Sequence, residues 1–376
     1  MKSSDHPTSP HDRSSQEDVA IIGMACLFPR ASDLQTYWQN IVSKVDAISD
    51  PPEEWQADLV YDPDSSENDR IYCKRGGWLG DLARFDPIKY GVMPAAVDGS
   101  EPDHFLALRV TYEALADAGY LDRPFDRERV EVILGRGGYI TSGITTIVQH
   151  GLIVDQTLRI LKQLHPEHTE EELQAIKEEL KASVPPFNAN TALGLIPNVL
   201  TGRIANRLDL MGPNFLVDAA CASALVSVQL GTQDLLAGRC DMAIVGGVQF
   251  QTSLTMSLIF CRLNAMSRKG DIRPFDKEAD GTLMGEGVGI VVLKRREDAE
   301  RDGDRIYALI KGVGVASDGR GLGLSAPRLE GEVLALRRAY EAAGISPRSI
   351  GMVEAHGTAT PIGDPTEVRA LCQVFG

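Results

Sequence analysis

The sequence predicts an α/β protein in which buried strands alternate with amphipathic helices. Short apolar, β-prone runs occur at residues 19–23, 130–135, 215–217 and 242–247, and stretches with the apolar spacing of helices lie between them. Such alternation is typical of helices packed on a largely parallel sheet. The chain has 376 residues, 43% of them hydrophobic, which indicates a soluble globular protein with two subdomains.

Charge and cysteine usage limit the classes of function. A formal net charge of −15 argues against nucleic acid as a main partner, because phosphate binding needs clustered Lys and Arg. The six cysteines are scattered and form no CxxC pair, so we expect reduced thiols in a cytoplasmic protein, without disulfides or a metal site. No apolar run approaches the ~20 residues of a membrane span. Residues 1–17 lack the apolar core of a signal peptide and are predicted to form a disordered leader.

The first part of the chain is predicted to contain a strand and two helices. The strand at residues 19–23 ends in a glycine turn, and Ser32 or Asp33 can cap the helix that follows. Residues 104–118 have the apolar spacing of a second helix. His104, near the start of that helix, is predicted to be a surface or packing residue rather than a catalytic one.

The segment at residues 150–186 is predicted to be mainly helical. Thr169 and Glu172 have the spacing of a capping box, and two prolines at 185–186 end the last helix. Two interpretations of this segment stay open. It forms either a lid or dimer surface, or amphipathic helices that pack on the body of the protein.

The stretch around Cys221 predicts a strand followed by a sharp turn into a helix. Residues 215–217 are apolar, helical spacing begins at Ala222, and Gly238 is a stop signal. Unpaired N–H groups at a helix start favour an anion, which lowers the pKa of a thiol there and makes it a nucleophile. A buried structural cysteine is the alternative, since free cysteines are often buried.

The second part of the chain is predicted to contain three strands and a helix. The charged turn between residues 288–293 and 306–315 favours an antiparallel pair of strands, and a helix follows at residues 332–343. Residues 352–357 read as a strand that delivers His356 at its C-terminal end. Open α/β sheets hold their sites at the C-terminal ends of strands.

The residues after His356 are small and carry hydroxyl groups. Thr358 and Thr360 suit binding of an extended polar chain close to the imidazole. Asp364 and Glu367, with a proline between them, have the spacing of an N-cap and an N3 acid at a helix start. Both acids are therefore predicted to cap a helix rather than to act in catalysis.

Several of these motifs, in matching order and spacing, resemble those of the β-ketoacyl synthase (ketosynthase) domain of type I polyketide synthases. The resemblance covers residues 18–376. The segment at residues 140–197 is more similar to iterative synthases, including those making polyunsaturated or enediyne-type chains, than to modular ones. The motifs are Val217-Asp-Ala-Ala-Cys-Ala-Ser-Ala-Leu225, Glu354-Ala-His-Gly-Thr-Ala-Thr-Pro-Ile-Gly-Asp-Pro-Thr-Glu367, Val19-Ala-Ile-Ile-Gly-Met-Ala-Cys26, Gly202-Arg-Ile-Ala-Asn206, Ile272-Arg-Pro-Phe-Asp276 and Gly285-Glu-Gly287.

The resemblance implies a thiolase-like fold of two related βαβαβαββ halves, usually dimerised through the first. Residues 18–295, with an insert at 140–197, would form the first half. Residues 296–376 would begin a second half that is truncated at its C-terminus. In this family a second catalytic histidine, its nearby lysine and a glycine-rich turn lie beyond the last residue of this chain.

The resemblance also implies the chemistry. Cys221 would accept the acyl group, and His356 would bind the malonyl thioester carbonyl and assist decarboxylation. Thr358 and Thr360 would contact the phosphopantetheine arm of an acyl carrier protein, and no cofactor or metal would be bound directly. The expected function is decarboxylative Claisen condensation of acyl and malonyl thioesters, in polyketide or fatty-acid-like chain elongation, by a homodimer beside other synthase domains. The Cys221 N–H would supply half of an oxyanion hole.

Departures from the family pattern leave alternatives open. The turn that carries Cys221, called the elbow below, has the sequence Ala219-Ala-Cys-Ala-Ser223, where the family usually has Thr-Ala-Cys-Ser-Ser. Ala359 replaces a frequent glycine. Neither change removes a reacting group. A catalytically inactive or decarboxylase-only partner is one alternative, although inactive partners typically lose the cysteine. A cysteine hydrolase is another. It would need a general base beside Cys221, and the nearby Asp218 is expected to be structural.

Overall fold

The structure is a computed structural model, and the predicted leader at residues 1–17 lies outside the residues it describes. None of the described helices is long and apolar enough to cross a membrane. The described residues are 18–137, 141–250, 254–321, 323 and 326–376.

A mixed sheet of six strands lies at the centre of the described chain. The strands of the protein are β1 (Val19–Leu27), β2 (Gly76–Gly77), β3 (Val130–Gly135), β4 (Asn214–Val217), β5 (Met242–Gln249), β6 (Met284–Gly285), β7 (Gly287–Arg295) and β8 (Ala308–Ile310). The large sheet has the order β4-β3-β5-β7-β1-β8, and β2 pairs with β6 separately. Because β3 is parallel to both β4 and β5, these three strands end at the same edge of the sheet.

Helices cover both faces of this sheet. The helices of the described residues are α1 (Leu34–Val42), α2 (Pro102–Asp117), α3 (Ser142–Val148), α4 (Val154–Leu164), α5 (Glu170–Ala182), α6 (Ala189–Gly194), α7 (Val199–Leu208), α8 (Ser223–Leu236), α9 (Leu254–Arg262), α10 (Arg296–Asp302), α11 (Leu329–Ala343) and α12 (Gly363–Phe375). A π-helical turn, Gln149–Ile153, joins α3 to α4. The predicted helical segment at residues 150–186 is therefore confirmed.

Alternating side chains bury the central strands between two helical layers. Val132 and Leu134 of β3 belong to the cluster that includes Leu106 of α2. Ile133, between them, belongs to the cluster of Leu235 in α8. Strands buried on both faces explain why β3 and β5 read as continuous apolar runs in the sequence.

Local sequence signals set the helix ends as predicted. The Asp33 carboxylate accepts from the Thr36 N–H at 2.8 Å at the start of α1. Thr169 and Glu172 form the predicted capping box of α5. His104 in the first turn of α2 is fully buried, so the packing alternative is the correct one of the two.

The predicted pairing of residues 288–293 with 306–315 is wrong. Strand β1 lies between β7 and β8 and pairs antiparallel with both. The connection is not a tight turn, because α10 occupies seven of its residues and carries the chain across β1. Only Ala308–Ile310 of the second predicted strand enters the sheet.

The predicted strand at residues 352–357 is also absent from the described structure. Met352 is 82% exposed, and no described strand lies beside this segment to complete a hydrogen-bonded ladder. Residues 312–314, which follow β8, pack on α11 instead of extending the sheet. A Cβ at Gly314 would lie 2.2 Å from the Ala335 carbonyl oxygen of that helix.

Candidate active site

Cys221 lies in the sharp turn between β4 and α8, as the sequence predicted. Ala220, just before it, has φ of 50°, in the left-handed region that non-glycine residues rarely adopt. The Ser223 hydroxyl holds this turn, because it accepts from the Ala219 N–H at 2.8 Å and donates to the Ala220 carbonyl at 2.6 Å. Asp218 accepts from the Ala220 N–H at 3.0 Å, a contact that fits its expected structural role. The result is an exposed cysteine immediately before a helix N-terminus.

The start of α8 is held against the ends of β3 and β5. The Ser227 hydroxyl accepts from the Gly246 N–H at 3.0 Å and lies 2.9 Å from the carbonyl oxygen of the same residue. A Cβ at Gly135 would lie 2.5 Å from the Ala224 nitrogen, so a larger residue there would push the helix away. These close contacts fix the turn that carries Cys221 relative to the sheet.

His356 lies beside Cys221, and the two side chains hydrogen-bond each other. This hydrogen bond lowers the pKa of Cys221 and raises the pKa of His356 relative to their ordinary values. The carboxylates of Glu367 and Glu332 raise the pKa of His356 further. The arrangement therefore favours a thiolate paired with an imidazolium, which is the form of cysteine that reacts as a nucleophile.

Glu367 positions the backbone of His356 instead of capping a helix. Its two carboxylate oxygens accept from the N–H groups of His356 at 2.6 Å and of Gly357 at 2.9 Å. The predicted capping role is therefore wrong. α12 already begins at Gly363, so Glu367 lies past its first turn and is directed back at the preceding loop.

Asp364 ties two loops together and is likewise not an N-cap. Its oxygens accept from the N–H groups of Ala359 at 2.9 Å and of Phe275 at 2.6 Å. Ala359 is buried with φ of 58°, a conformation that favours glycine.

Thr358 and Thr360 stand next to His356 in the same loop, but their hydroxyl groups face each other. The two Oγ1 atoms are 3.0 Å apart, and Thr360 also accepts from the Gly363 N–H at 3.0 Å. Both side chains are partly buried. The loop is thus braced against the start of α12 by its own hydroxyl groups.

A cavity of about 460 Å³ opens beside Cys221. Its walls are mostly glycine and apolar side chains, including Val248, Met256 and Phe260, together with the charged Arg136 and Glu286. A larger cavity of about 640 Å³ lies at the opposite edge of the sheet, where charged side chains such as Lys294 and Asp302 pair with one another. Of these two cavities, only the smaller is lined by Cys221, and it is mainly apolar.

Two arginines near the elbow in sequence have structural contacts elsewhere. Arg203 stacks over the Phe105 ring at 4.4 Å, and Arg207 donates to the Gly91 carbonyl.

Sequence reasoning did not single out Glu332, whose buried Oε2 has no hydrogen-bond partner among the described residues. Its position on α11 gave no signal in the sequence, because only the fold brings its charge close enough to influence His356. Within the described part, no group of three His, Cys, Asp or Glu residues could hold a metal ion.

Comparison with known proteins identifies the family. The family model described as "Beta-ketoacyl synthase, N-terminal domain" matches residues 16–299, and "Beta-ketoacyl synthase, C-terminal domain" matches residues 307–376. The chain is 35% identical over 360 residues to a polyunsaturated fatty acid synthase component of Thraustochytrium sp., a match that covers 95% of this chain and 13% of that protein.

Solved structures of ketosynthases have the same fold. The PfaC ketosynthase–chain length factor superposes with a TM-score of 0.83 and 31% identity, covering 95% of this chain and 38% of that one. A ketosynthase from module 6 of the bacillaene synthase of Bacillus subtilis 168 gives a TM-score of 0.74 and 32% identity, over 95% of this chain and 54% of that one. The chain thus spans a small part of its curated relative and about half or less of these structures. It has the thiolase-like fold and belongs to the β-ketoacyl synthase family of acyl-transferring condensing enzymes, among the ketosynthase domains of polyketide and related synthases.

Proposed function

We propose that the protein performs the decarboxylative condensation of an acyl group on Cys221 with a malonyl group on an acyl carrier protein. The observation that carries this proposal is the hydrogen-bonded pair of Cys221 and His356 beside an apolar cavity. It needs no metal and no cofactor bound by the chain itself. The substrates arrive as thioesters on the phosphopantetheine arm of the carrier protein.

In the first half-reaction the Cys221 thiolate attacks the carbonyl carbon of the acyl thioester. A new C–S bond forms, the bond to the carrier sulfur breaks, and the carrier leaves as a thiol with the proton that Cys221 had lost. We assign the Cys221 N–H, just before the start of α8, as a donor to the developing oxyanion. The apolar cavity receives the hydrocarbon part of the acyl group.

Acylation changes the state of His356. The largest cause of its raised pKa is the hydrogen bond with the Cys221 thiolate, and the acyl-enzyme has no thiolate. The imidazole then returns to its neutral form and donates an N–H to the carbonyl oxygen of the malonyl thioester. Loss of carbon dioxide leaves an enolate, whose carbon attacks the acyl carbonyl, and the Cys221 thiolate departs. One histidine thus serves both half-reactions, because its protonation state changes with the charge on the Cys221 sulfur.

The loop that holds His356 supplies the assigned contacts for the phosphopantetheine arm. Thr358 and Thr360 lie two and four residues after His356, and both are only partly buried. An arm that enters along this loop places its thioester at the imidazole. We assign both hydroxyl groups to this contact, with their mutual hydrogen bond exchanged for bonds to the arm.

A homodimer is part of the proposal. Strand β4 is an edge strand of the described sheet and lies directly before the elbow. Backbone groups at such an edge pair readily with a second strand. The helical segment that follows β3 also exposes apolar side chains, which a second copy would cover: Ile144, Ile147, Val148, Leu152, Ile153, Ile160 and Leu164. The division into residues 18–295 and 296–376, and the assignment to iterative synthases, belong to the same proposal.

Acylation and condensation can be tested separately with the His356→Ala variant. His356 acts mainly in the malonyl half, where losing one donor to a developing oxyanion costs on the order of 10²–10³ in rate. We expect acyl-Cys221 to remain visible by intact mass, while formation of the β-ketoacyl product falls steeply. A folded variant that forms no acyl-enzyme would contradict the role assigned to His356, and Cys221→Ser is the control without a thiol.

A further inference from the structure

Arg136 brings a charged group into the cavity that contains Cys221. It follows directly after β3, is 9% exposed and lines the cavity with the catalytic cysteine. Its backbone N–H donates to the carbonyl of Val217 at 3.1 Å, the last residue before the elbow. The backbone of Arg136 is therefore fixed to the end of β4, the strand that leads into the turn with Cys221.

A buried ion pair holds this guanidinium in place. Arg136 Nε donates to Asp103 Oδ2 at 2.6 Å, and Asp103 is 4% exposed. Burial is the largest influence on Asp103 and raises its pKa to about 6, despite the nearby arginine. Asp103 Oδ1 has no hydrogen-bond partner among the described residues. The pair is thus strongly desolvated and incompletely satisfied.

The stability of the fold is a weak explanation for a buried ion pair at this position. Replacing a buried ion pair by well-packed apolar residues is often neutral or stabilising, because desolvation offsets the attraction. The cavity that Arg136 enters is lined mostly by glycine and apolar side chains, with Glu286 as its other charged residue. An arginine has five N–H donors and no acceptor, and among the described residues Asp103 engages Nε alone. A ligand oxygen in the cavity is the natural partner for the remaining donors.

We propose that Arg136 selects acyl groups that carry a neutral oxygen, a hydroxyl or an oxo group, a few carbons from the thioester. This inference rests on the proposed function, because it concerns the acyl group that Cys221 accepts. Asp103 already neutralises the guanidinium, so a carboxylate would bring an uncompensated negative charge into a desolvated site. A neutral acceptor gains the hydrogen bonds without that charge. A purely hydrocarbon acyl group leaves the donors unpaired.

Wild-type protein alone can test the selectivity. Acylation of Cys221 is followed by intact mass with three N-acetylcysteamine thioesters, namely butyryl, 3-hydroxybutyryl and succinyl. We expect 3-hydroxybutyryl to acylate about 10- to 100-fold faster than butyryl, since a hydrogen bond from a charged donor is worth about that much in equilibrium terms. Succinyl should be the slowest. Equal or faster reaction of butyryl overturns this inference and leaves the proposed function standing, whereas no acylation by any thioester overturns the proposed function with it.

A double variant tests whether Arg136 causes the preference for the 3-hydroxybutyryl thioester. Arg136→Met keeps a chain of similar length without donors, and Asp103→Asn in the same protein avoids an unpaired buried acid. The double variant is expected to lose the 3-hydroxybutyryl preference. Arg129→Met is the matched control, because Arg129 precedes β3, pairs with Asp241 at 2.5 Å and lies at the other edge of the sheet. Retention of the preference in the double variant, or its loss in the control, would overturn the assignment.

Discussion

The contact between Cys221 and His356 makes the reactivity of the thiol depend on pH. The pKa of Cys221 is lowered by its hydrogen bond with His356, so its thiolate is present at pH values below the ordinary range of a thiol. In His356→Ala we expect the pH profile of alkylation to move upward and the rate near neutral pH to fall, because less of the thiol is then ionised.

Peptide mapping after limited iodoacetamide treatment measures this effect. Cys221 should be labelled first, because burial raises the pKa of Cys26 to about 11 and also raises the pKa values of Cys73, Cys240 and Cys261. Cys372 is exposed and serves as the internal reference thiol. An unchanged profile for Cys221 in His356→Ala would show that the histidine does not tune the thiol.

Glu131 is a buried acid that makes stability depend on pH. It is 1% exposed on β3, and burial, followed by the nearby Asp234, raises its pKa to about 8. A raised folded-state pKa means that the native protein holds the proton, so stability is lost as pH rises from the ordinary pKa toward that value. In Glu131→Gln this loss should disappear, and the variant should gain on the order of 3 kcal/mol relative to wild type between about pH 5 and about pH 8.

Denaturant unfolding of both proteins at the two pH values checks the sign. The quantity compared is the difference in the free energy of unfolding between variant and wild type, because other groups titrate in both proteins. A constant difference across this range would mean that Glu131 is ionised in the native protein.

The two reacting residues could be predicted from the sequence, but the residues that position them could not. Cys221 and His356 stand in local motifs that carry chemical information by themselves. Asp364 and Glu367 resemble helix caps because the same residue types at that spacing satisfy a helix start. Their contacts with Phe275 and His356 depend on how loops distant in the sequence meet.

At the scale of elements, the loop from His356 to Gly363 depends on Glu367. A Gln there keeps the size but places an amide where one of two backbone N–H groups needs an acceptor. We expect Glu367→Gln to lower the free energy of unfolding by about 1–3 kcal/mol and to slow alkylation of Cys221 near neutral pH, because His356 shifts.

Glu354→Gln is the matched control for that variant, since Glu354 is exposed two residues before His356. It should change neither quantity measurably. Normal stability and normal thiol reactivity in Glu367→Gln would contradict a positioning role for Glu367.

Helices and buried strands, β7 included, were predictable for a physical reason, but the pairing of β8 and the structure of residues 352–357 were not. Apolar spacing and caps act within a few residues, so α1, α5 and α11 follow from local sequence. A strand exists only if a neighbour pairs with it. Residues 352–357 have strand composition but no described partner, and β8 pairs with β1 rather than with β7.

At the scale of the whole molecule, the open edge of β4 defines a test of the dimer. Val132 N donates to Pro213 O and Arg136 N to Val217 O, so residues 213 and 217 face β3. By the alternation of a strand, the backbone N–H of Leu216 points to the open edge. Leu216→Pro should therefore weaken a strand-paired dimer at least about tenfold, since it removes one interfacial donor and adds a bulky ring there.

Light scattering over a range of concentrations measures the change. Leu216→Ala is the control, because it trims the side chain and keeps the N–H. A monomer from Leu216→Pro beside a dimer from Leu216→Ala supports pairing through β4. A dimer of unchanged affinity in both variants would place the interface elsewhere.

The central claim, that acyl-Cys221 is condensed with a decarboxylated malonyl unit, is tested most directly by a single turnover. The complete natural polypeptide is first acylated at Cys221 and freed of excess thioester, and malonyl-carrier protein is then added. Carbon dioxide release, loss of acyl-Cys221 and formation of the β-ketoacyl carrier protein are followed together. The structure predicts equal amounts of all three, and none of the product from Cys221→Ala. Carbon dioxide without loss of the acyl group, or free acid without carbon dioxide, would contradict condensation and indicate a decarboxylase or a hydrolase instead.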